Sequence, residues 1–317
     1  MEIAQIYIYP IKSLRGIAVE EATIMECGLQ YDRQYVLVKF AEDKPNEPEV
    51  IAIKTNSELC LFSTAFHEDG ESLTVTHASN PTETLTLPLT PFRDMLSATY
   101  PITLFSTSTI GFDMGPQAAT FFQNHLSDPT IKLLFIAAPR DPHPVLTPSI
   151  AGDGLVKHPQ KIRFMDVAPI LLTTSSSLSD VTSRLPADSD MVSGGSFDIT
   201  KFRSNIHVTV PSATPAYDEE FWTEIRVGEK DKEVKFDCTF NTARCLSINV
   251  DYQTGKQAPQ EEQIYKRMMK DRRIQPHFNY KPCFGRYCVC DTFGAKIRRG
   301  DKVEVVKRNE ERHVDVA

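Results

Sequence analysis

Five short segments put cations, hydroxyls and one cysteine at the ends of apolar runs, where side chains leave the core and can face a ligand. YPIKS carries Lys12 and Ser13 just past such a run, and YDRQYVLV places Arg33 just before one. TTSSS spans Thr173 to Ser177, with Thr174 and Ser177 among its hydroxyls, at a predicted helix start; KFRSNIHV presents Arg203 and Asn205, and ARCL presents Arg244 and Cys245. Free amides at a helix start, together with hydroxyls and charged donors, make a ready site for a phosphate-like anion. A guanidinium beside a thiol favours the thiolate, which is the metal-binding and nucleophilic form. Taken singly, each feature has an ordinary explanation as a solvated charge, a helix cap or a small apolar filler.

Other chemistries lose their support. No GxxxxGK[ST] loop, GxGxxG turn, HExxH pair or GxSxG elbow occurs, so nucleotide-binding, zinc-protease and hydrolase readings have no residues to act through. The run CFGRYCVC, residues 283–290, lacks the CxxC pairs and second ligand cluster of structural zinc. Its Cys288 and Cys290 are expected to share one strand face as buried apolar residues. The eight histidines are dispersed, without an i, i+4 pair. A net charge of −7 over 317 residues argues against nucleic acid as the partner, because phosphate backbones need a basic face.

Seven cysteines, irregularly spaced in a large chain, are expected to be reduced thiols. MEIAQIYIYPIKS lacks the features of a secretory signal, and no window has the roughly 20 apolar residues of a membrane span. The chain as given is therefore read as intracellular and cytoplasmic, with no transmembrane segment. A basic cluster, YKRMMKDRR at 265–273, is either a solvated helix face or a dock for an acidic protein.

The elements that must carry these residues are mainly strands. AQIYIYPI, QYVLVKF, ESLTVTH and ETLTLPL show β-branched and alternating runs separated by turn residues. A helix is predicted at 115–127, with Asp113 as its cap and Pro116 in its first turn. Five prolines at 138–160 mark a loop and a domain boundary. Beyond it, APILLTTSSSLSDVTSRL reads as a strand entering a helix near Ser176. SNIHVTV, TEIRVGEKDKEVKFDC, ARCLSINVD, RYCVCDTF and AKIRRGDKVEVV read as strands or hairpins, and EEQIYKRMMKDRR as a helix. The fold class is mainly β with a few helices (α+β): a β-barrel-like domain over 1–140 and a second β-barrel over 141–317.

In order and spacing, IYIYPIKSLRGIAVEEATI, GLQYDRQYVLV, DVAPILLTTSSSLSDV, FRSNI, RCLSINVDYQTG, PCFGRYCV and IRRGDKVEV resemble the MOSC-domain family, in the form where an N-terminal β-barrel domain precedes the MOSC domain, and most closely the amidoxime-reducing components. The resemblance covers nearly the whole chain. It implies a molybdenum cofactor whose metal takes Cys245 as its protein ligand, and whose pterin and phosphate are held by Lys12, Ser13, Arg33, Thr174, Ser177, Arg203, Asn205 and Arg244. A thiolate is a soft ligand suited to such a metal.

The implied activity is reduction of small N-hydroxylated substrates, amidoximes and hydroxylamines, with electrons from a separate cytochrome b5 and its reductase. The alternative is a cofactor or persulfide carrier without N-reductive activity; no lysine domain for pyridoxal phosphate is attached. Relatives of this kind carry a mitochondrial targeting segment, so mitochondrial association follows if such a segment precedes this chain. Two departures stand out: Ser204 replaces a proline of the family motif and is expected to loosen that turn, and the segment 39–52 is an acidic, proline-bearing loop.

Overall fold

In the computed structural model, residues 1–105, 107–140, 160–275, 278 and 280–312 are described. Strands dominate, joined by three α-helices among those residues: α1 (Pro116–Leu126), α2 (Ser175–Ser183) and α3 (Ile264–Met268).

The largest sheet runs, in spatial order, through Ile17–Val19, Glu2–Ile8, Ile206–Thr209, Ile170–Thr174, Cys283–Val289, Val234–Ala243, Trp222–Val227 and Val303–Arg308. It closes on itself. Glu2 bridges to Lys302, Val303 N donates to Met1 O at 2.9 Å and Ile3 N donates to Asp301 O at 2.9 Å. Closure removes the open sheet edges and encloses a core of Ile6, Ile170, Leu172, Ile206, Trp222, Ile225, Phe236 and Cys238. Each large apolar side chain buried this fully contributes about 1.5–3 kcal/mol. The chain's first strand, Glu2–Ile8, pairs antiparallel with Ile206–Thr209 and so belongs to the barrel that the second half builds. Residues 1–19 thus cross the sequence division at 140, and most of the proline-rich boundary segment, 141–159, lies outside the described residues.

Glu21–Met25 pairs with Gly28–Leu29 and with Lys296–Arg298 in a small three-stranded sheet, and the rest of the first half holds a five-stranded sheet in the order Thr99–Leu104, Thr107–Asp113, Ile131–Ile136, Tyr35–Ala41, Lys44–Val50, with a three-stranded meander of Phe62–Phe66, Ser72–His77 and Asn80–Pro88. α1 packs Phe121 and Phe122 onto Phe62 of the meander, with ring centroids 6.1 and 5.2 Å away.

The structure corrects several local expectations. The acidic segment 39–52 is mostly strand, because Pro45 and Pro48 lie in Lys44–Val50, at the sheet edge where a missing N–H breaks no inner ladder. The cap of α1 is Gly115 rather than Asp113, whose carboxylate instead accepts from Gly115 N (2.8 Å) and Lys132 Nζ (2.7 Å).

EEQIYKRMMKDRR forms only the short α3 after a 3-10 turn at Gln260–Glu262. Arg272 is drawn inward onto Glu220 and the Tyr217 ring, 3.4 Å from its centroid, and cannot continue a solvent-facing helix. ARCLSINVD is no strand either. The chain leaves the ladder after Ala243 at a register irregularity and turns through a 3-10 helix, Leu246–Asn249, that buries Ile248 and Asn249 consecutively, as an alternating strand would not.

Candidate functional site

The site begins where the chain leaves the first barrel strand. Segments 9–12 and 32–35 run side by side: Tyr9 N donates to Asp32 Oδ1 (2.7 Å), Arg33 N to Tyr9 O (2.7 Å), Tyr35 N to Pro10 O (3.0 Å) and Lys12 N to Tyr35 O (2.8 Å). This ladder sets Lys12 and Arg33 beside one another. Across from them, Asn205 closes the head of its strand with Leu171: its N donates to Leu171 O at 2.8 Å, and its Oδ1 accepts from Leu171 N at 3.1 Å.

Arg33 ties the two halves together. It donates to Asp32, to Asn205 Oδ1 (3.1 Å) and, through Nη2, to Arg203 O (3.0 Å). Arg33 and Arg203 both lie over the ring of Tyr9, 4.4 Å from its centroid. Lys12 donates to Phe164 O at 3.0 Å and pairs with Asp166, whose side chain keeps 49% of its surface accessible. Ser13, Arg33 and Arg203 all have left-handed backbones (φ 72°, 48° and 57°), an uncommon conformation for such residues that concentrates at functional sites.

Cations outnumber anions here. Burial pulls the Lys12 ammonium below its ordinary pKa, against the raising effect of Asp166. Burial also lowers Arg203, with Arg33 adding to the effect, and brings Arg140, which lines the same corner through Arg163 O (3.0 Å), down to about 10. Buried cations in excess of their partners are costly unless an anion joins them. The orphaned atoms agree with that reading. Arg203 Nη2 and Arg244 Nε are buried with no hydrogen-bond partner among the described residues.

Arg244 extends the site toward the cysteine. Its Nη2 donates to Phe202 O at 2.6 Å, its guanidinium lies 5.4 Å from the Phe202 ring centroid, and its N is fixed by Pro282 O at 2.8 Å. Phe202 precedes Arg203, so Arg244 is held against the segment that carries the other arginine. Cys245 follows, with Sγ 2.9 Å from Ser247 Oγ. It is the exposed member of the seven free cysteines; the other six are buried. Burial raises the Cys60, Cys283 and Cys290 thiols to about 11, 12 and 11. Those thiols are fillers at neutral pH, and Cys288 Sγ meets Cys238 Sγ across the ladder at 3.6 Å, as expected for the buried strand face. No group of three metal-binding side chains occurs among the described residues.

The structure therefore brings together Lys12, Ser13, Arg33, Arg203 and Asn205, with Arg244 and Cys245 beyond Phe202. Asn205 stands behind Arg33 rather than at the opening: its Nδ2 donates to Tyr7 O (3.2 Å) and Asp32 Oδ2 (3.1 Å), so both amide donors and the carbonyl are already used. Thr174 and Ser177 do not join this cluster. Thr174 caps α2, and both hydroxyls donate to Glu219 Oε2, at 2.9 and 2.8 Å, in a fully buried network. Burial there raises the Glu219 pKa, with the hydroxyl bonds opposing.

Ser204 is hydrogen-bonded within its turn. Its Oγ is 2.8 Å from Thr173 Oγ1 and donates to Ile206 O at 3.1 Å, replacing the rigidity of a proline with hydrogen bonds. Sequence reasoning passed over Tyr9, Asp32 and Asp166, which orient the cations. The adjacency of Asp32 to Arg33 was the available signal, whereas Tyr9 and Asp166 look ordinary until the fold brings them in.

A closed barrel completed by the chain's own first strand, fed by cations from a second β unit, defines the class. The chain belongs to the MOSC family in its two-domain form: the MOSC N-terminal beta barrel domain matches residues 1–129 and the MOSC domain matches residues 159–304. Among named proteins it is similar to Mitochondrial amidoxime-reducing component 1 of Mus musculus, 28% identical over 310 residues, 95% of this chain and 81% of that one. The same protein of Homo sapiens is 27% identical over 311 residues (95% and 82%), and Mitochondrial amidoxime reducing component 2 of Homo sapiens is 25% identical over 312 (95% and 82%). No helix among the described residues is long and apolar enough to cross a membrane.

Proposed function

We propose that this chain is a molybdenum-cofactor-dependent oxidoreductase that reduces small N-hydroxylated compounds, in keeping with the names of its relatives. The observation that carries the reading is the juxtaposition of one exposed thiol, Cys245, with a buried excess of cations that includes two unpartnered guanidinium nitrogens. The residues suit a molybdopterin. Lys12, Arg33 and Arg203 would hold its phosphate, with Ser13 beside them; Arg244 would bridge toward the metal end, and Cys245 would supply the soft thiolate ligand. Thr174, Ser177 and Asn205 serve at one remove, by fixing α2 and Arg33. On this assignment Lys12 and Arg33 of the first unit, 1–140, and Arg203 of the second, 141–317, grip the phosphate between them, and the second unit supplies the metal ligand.

Bound there, the cofactor supplies a metal centre for two-electron reduction of an N–O bond. The chain's part is positional. The Asp32–Arg33–Asn205 bonds fix one cation before any ligand arrives, which lowers the ordering cost of binding. Electrons would come from a cytochrome b5-type donor. Lys266, Lys270 and Arg273, exposed around α3, are the cations offered to its acidic face, and Tyr265 N of the same helix donates to Asn249 Oδ1 (2.9 Å), at the end of the turn that follows Cys245. The relatives' names make a mitochondrial compartment the reading for location.

The test is metal analysis and benzamidoxime reduction on protein made in cells competent for the cofactor. Stoichiometric molybdenum, lost together with activity in Cys245→Ala, is expected. Molybdenum retained without N-reduction would favour a cofactor carrier, and cofactor-free protein bearing a persulfide on Cys245 would overturn the enzyme reading.

A further inference from the structure

One buried side chain beside the cation cluster has no role in the assignment above. Tyr252 follows the turn after Cys245 and is 5% exposed, yet its hydroxyl has no hydrogen-bond partner among the described residues. An unsatisfied buried hydroxyl costs about 1–3 kcal/mol, so a native structure that keeps one needs a reason.

The surroundings are cationic. Lys201 Nζ lies 4.4 Å from the Tyr252 ring centroid, and the Arg15 guanidinium carbon lies 5.6 Å from it. Both are engaged by main chain: Lys201 donates to Val250 O, and Arg15 donates to Cys60 O (2.7 Å) and Tyr252 O. They position the ring and raise the local potential without filling the hydroxyl's need. Arg203 enters the same corner, since its Nη1 donates to Leu14 O, next to Arg15, at 2.8 Å, while its Nη2 is unpartnered. Burial raises the Tyr252 phenol and keeps it protonated; Arg203 and Arg15 pull against that, and Asp198 adds to it. Two unsatisfied donors, one neutral O–H and one guanidinium N–H, therefore sit in one desolvated and positively charged corner. Their common complement is a tetrahedral oxyanion with oxygens to spare.

We propose that Tyr252 is a further anchoring residue of the phosphate site, its O–H and Arg203 Nη2 each taking an oxygen of one phosphate-type anion, with Arg15 and Lys201 holding the ring in place. The assignment rests on the cofactor reading above and extends it to a residue that neither composition nor motif matching singled out. Tyr252→Phe isolates the claim, because the ring still packs between Lys201 and Arg15 while only the donor is lost.

The experiment uses cofactor-free full chain and inorganic phosphate as the probe, with affinity measured by calorimetry. A hydrogen bond to a charged acceptor corresponds to roughly tenfold in affinity, so Tyr252→Phe is expected to bind phosphate about tenfold more weakly than wild type. Its unliganded melting temperature should be unchanged or higher, because an unsatisfied polar atom has been removed. Protein made in cofactor-competent cells should also retain less pterin per chain after gel filtration, read as the fluorescence of the oxidised pterin.

Equal phosphate affinity and equal pterin retention in wild type and Tyr252→Phe overturn the proposal even if wild type is fully loaded. Wild type that binds neither phosphate nor pterin overturns the cofactor reading as well, so the two failures are distinguishable.

Discussion

Arg33 and Arg203, 170 residues apart, share one aromatic ring: each guanidinium carbon is 4.4 Å from the centroid of Tyr9, and Arg33 Nη2 donates to the Arg203 carbonyl at 3.0 Å. Two like charges this close repel unless something between them is negative. The ring's π face supplies part of that charge and Asp32 supplies the rest. Tyr9 is therefore a structural counterpart of the site, and the two parts of its side chain can be weighed separately. Tyr9→Phe removes only the bond from the hydroxyl to Ser204 O, 3.1 Å long, and should cost about 1 kcal/mol. Tyr9→Leu also removes both cation–π contacts and leaves a void, and should cost about 3 kcal/mol or more. Urea unfolding of the cofactor-free proteins checks the order; equal losses would show that the ring does not screen the arginines.

The cysteines give a prediction that needs no cofactor. Cys245 is exposed, and burial keeps Cys60, Cys283 and Cys290 as neutral thiols. Native protein treated with a chromogenic disulfide reagent should release one equivalent promptly and the remainder only on unfolding. Cys245→Ser should abolish the prompt equivalent without shifting the melting temperature. A second prompt thiol would mean that the barrel opens locally around another cysteine.

Ser204 carries the next prediction, on stability. Its hydroxyl stands in a buried chain, Thr173 Oγ1 at 2.8 Å on one side and the Ile206 carbonyl at 3.1 Å on the other, and Thr173 continues to His207 Nδ1 at 2.9 Å. Ser204→Ala leaves that chain short of a member and should cost about 1–2 kcal/mol. Ser204→Pro should not recover the loss, because proline supplies no hydroxyl to Thr173. A stabilised Ser204→Pro protein would show that turn rigidity outweighs the network.

These residues also show what was legible beforehand. Strands such as Glu2–Ile8, Tyr35–Ala41 and Ile170–Thr174 were readable because β-branched and aromatic runs between turn residues have few alternatives. The cations at their ends were readable as a set, since the same arrangement recurs in both halves. The turn after Arg244 was not: CLSINV alternates like a strand, and only the exit of the chain from the ladder after Ala243 and the bond from Tyr265 N to Asn249 Oδ1 at 2.9 Å make it a 3-10 helix. Nor could the hydroxyls of Thr174 and Ser177 be assigned a direction. They face Glu219, which lies 45 and 42 residues further along the chain, and no local pattern announces that partner.

The network around Ser204 ends at His207, and there stability becomes a function of pH. Burial lowers the His207 pKa from the ordinary 6.5 to about 4, because the imidazole sits between two strands with its Nδ1 against Thr173 and its charge would be desolvated. The folded protein therefore resists the proton that the unfolded chain accepts. Below pH 6.5 the unfolded state binds more protons than the folded one, so stability present at neutral pH is lost as the pH falls from 6.5 toward 4. Over that window the loss attributable to this one residue is about 3 kcal/mol. Carboxylates titrate in the same range, but equally in a variant that lacks the imidazole. Denaturant unfolding at pH 7, 5.5 and 4 should thus show a steeper decline in wild type than in His207→Gln. If the two curves run parallel across the window, the imidazole is protonated in the fold, and the charge would have to be accommodated by the Thr173–Ser204 hydroxyls beside it.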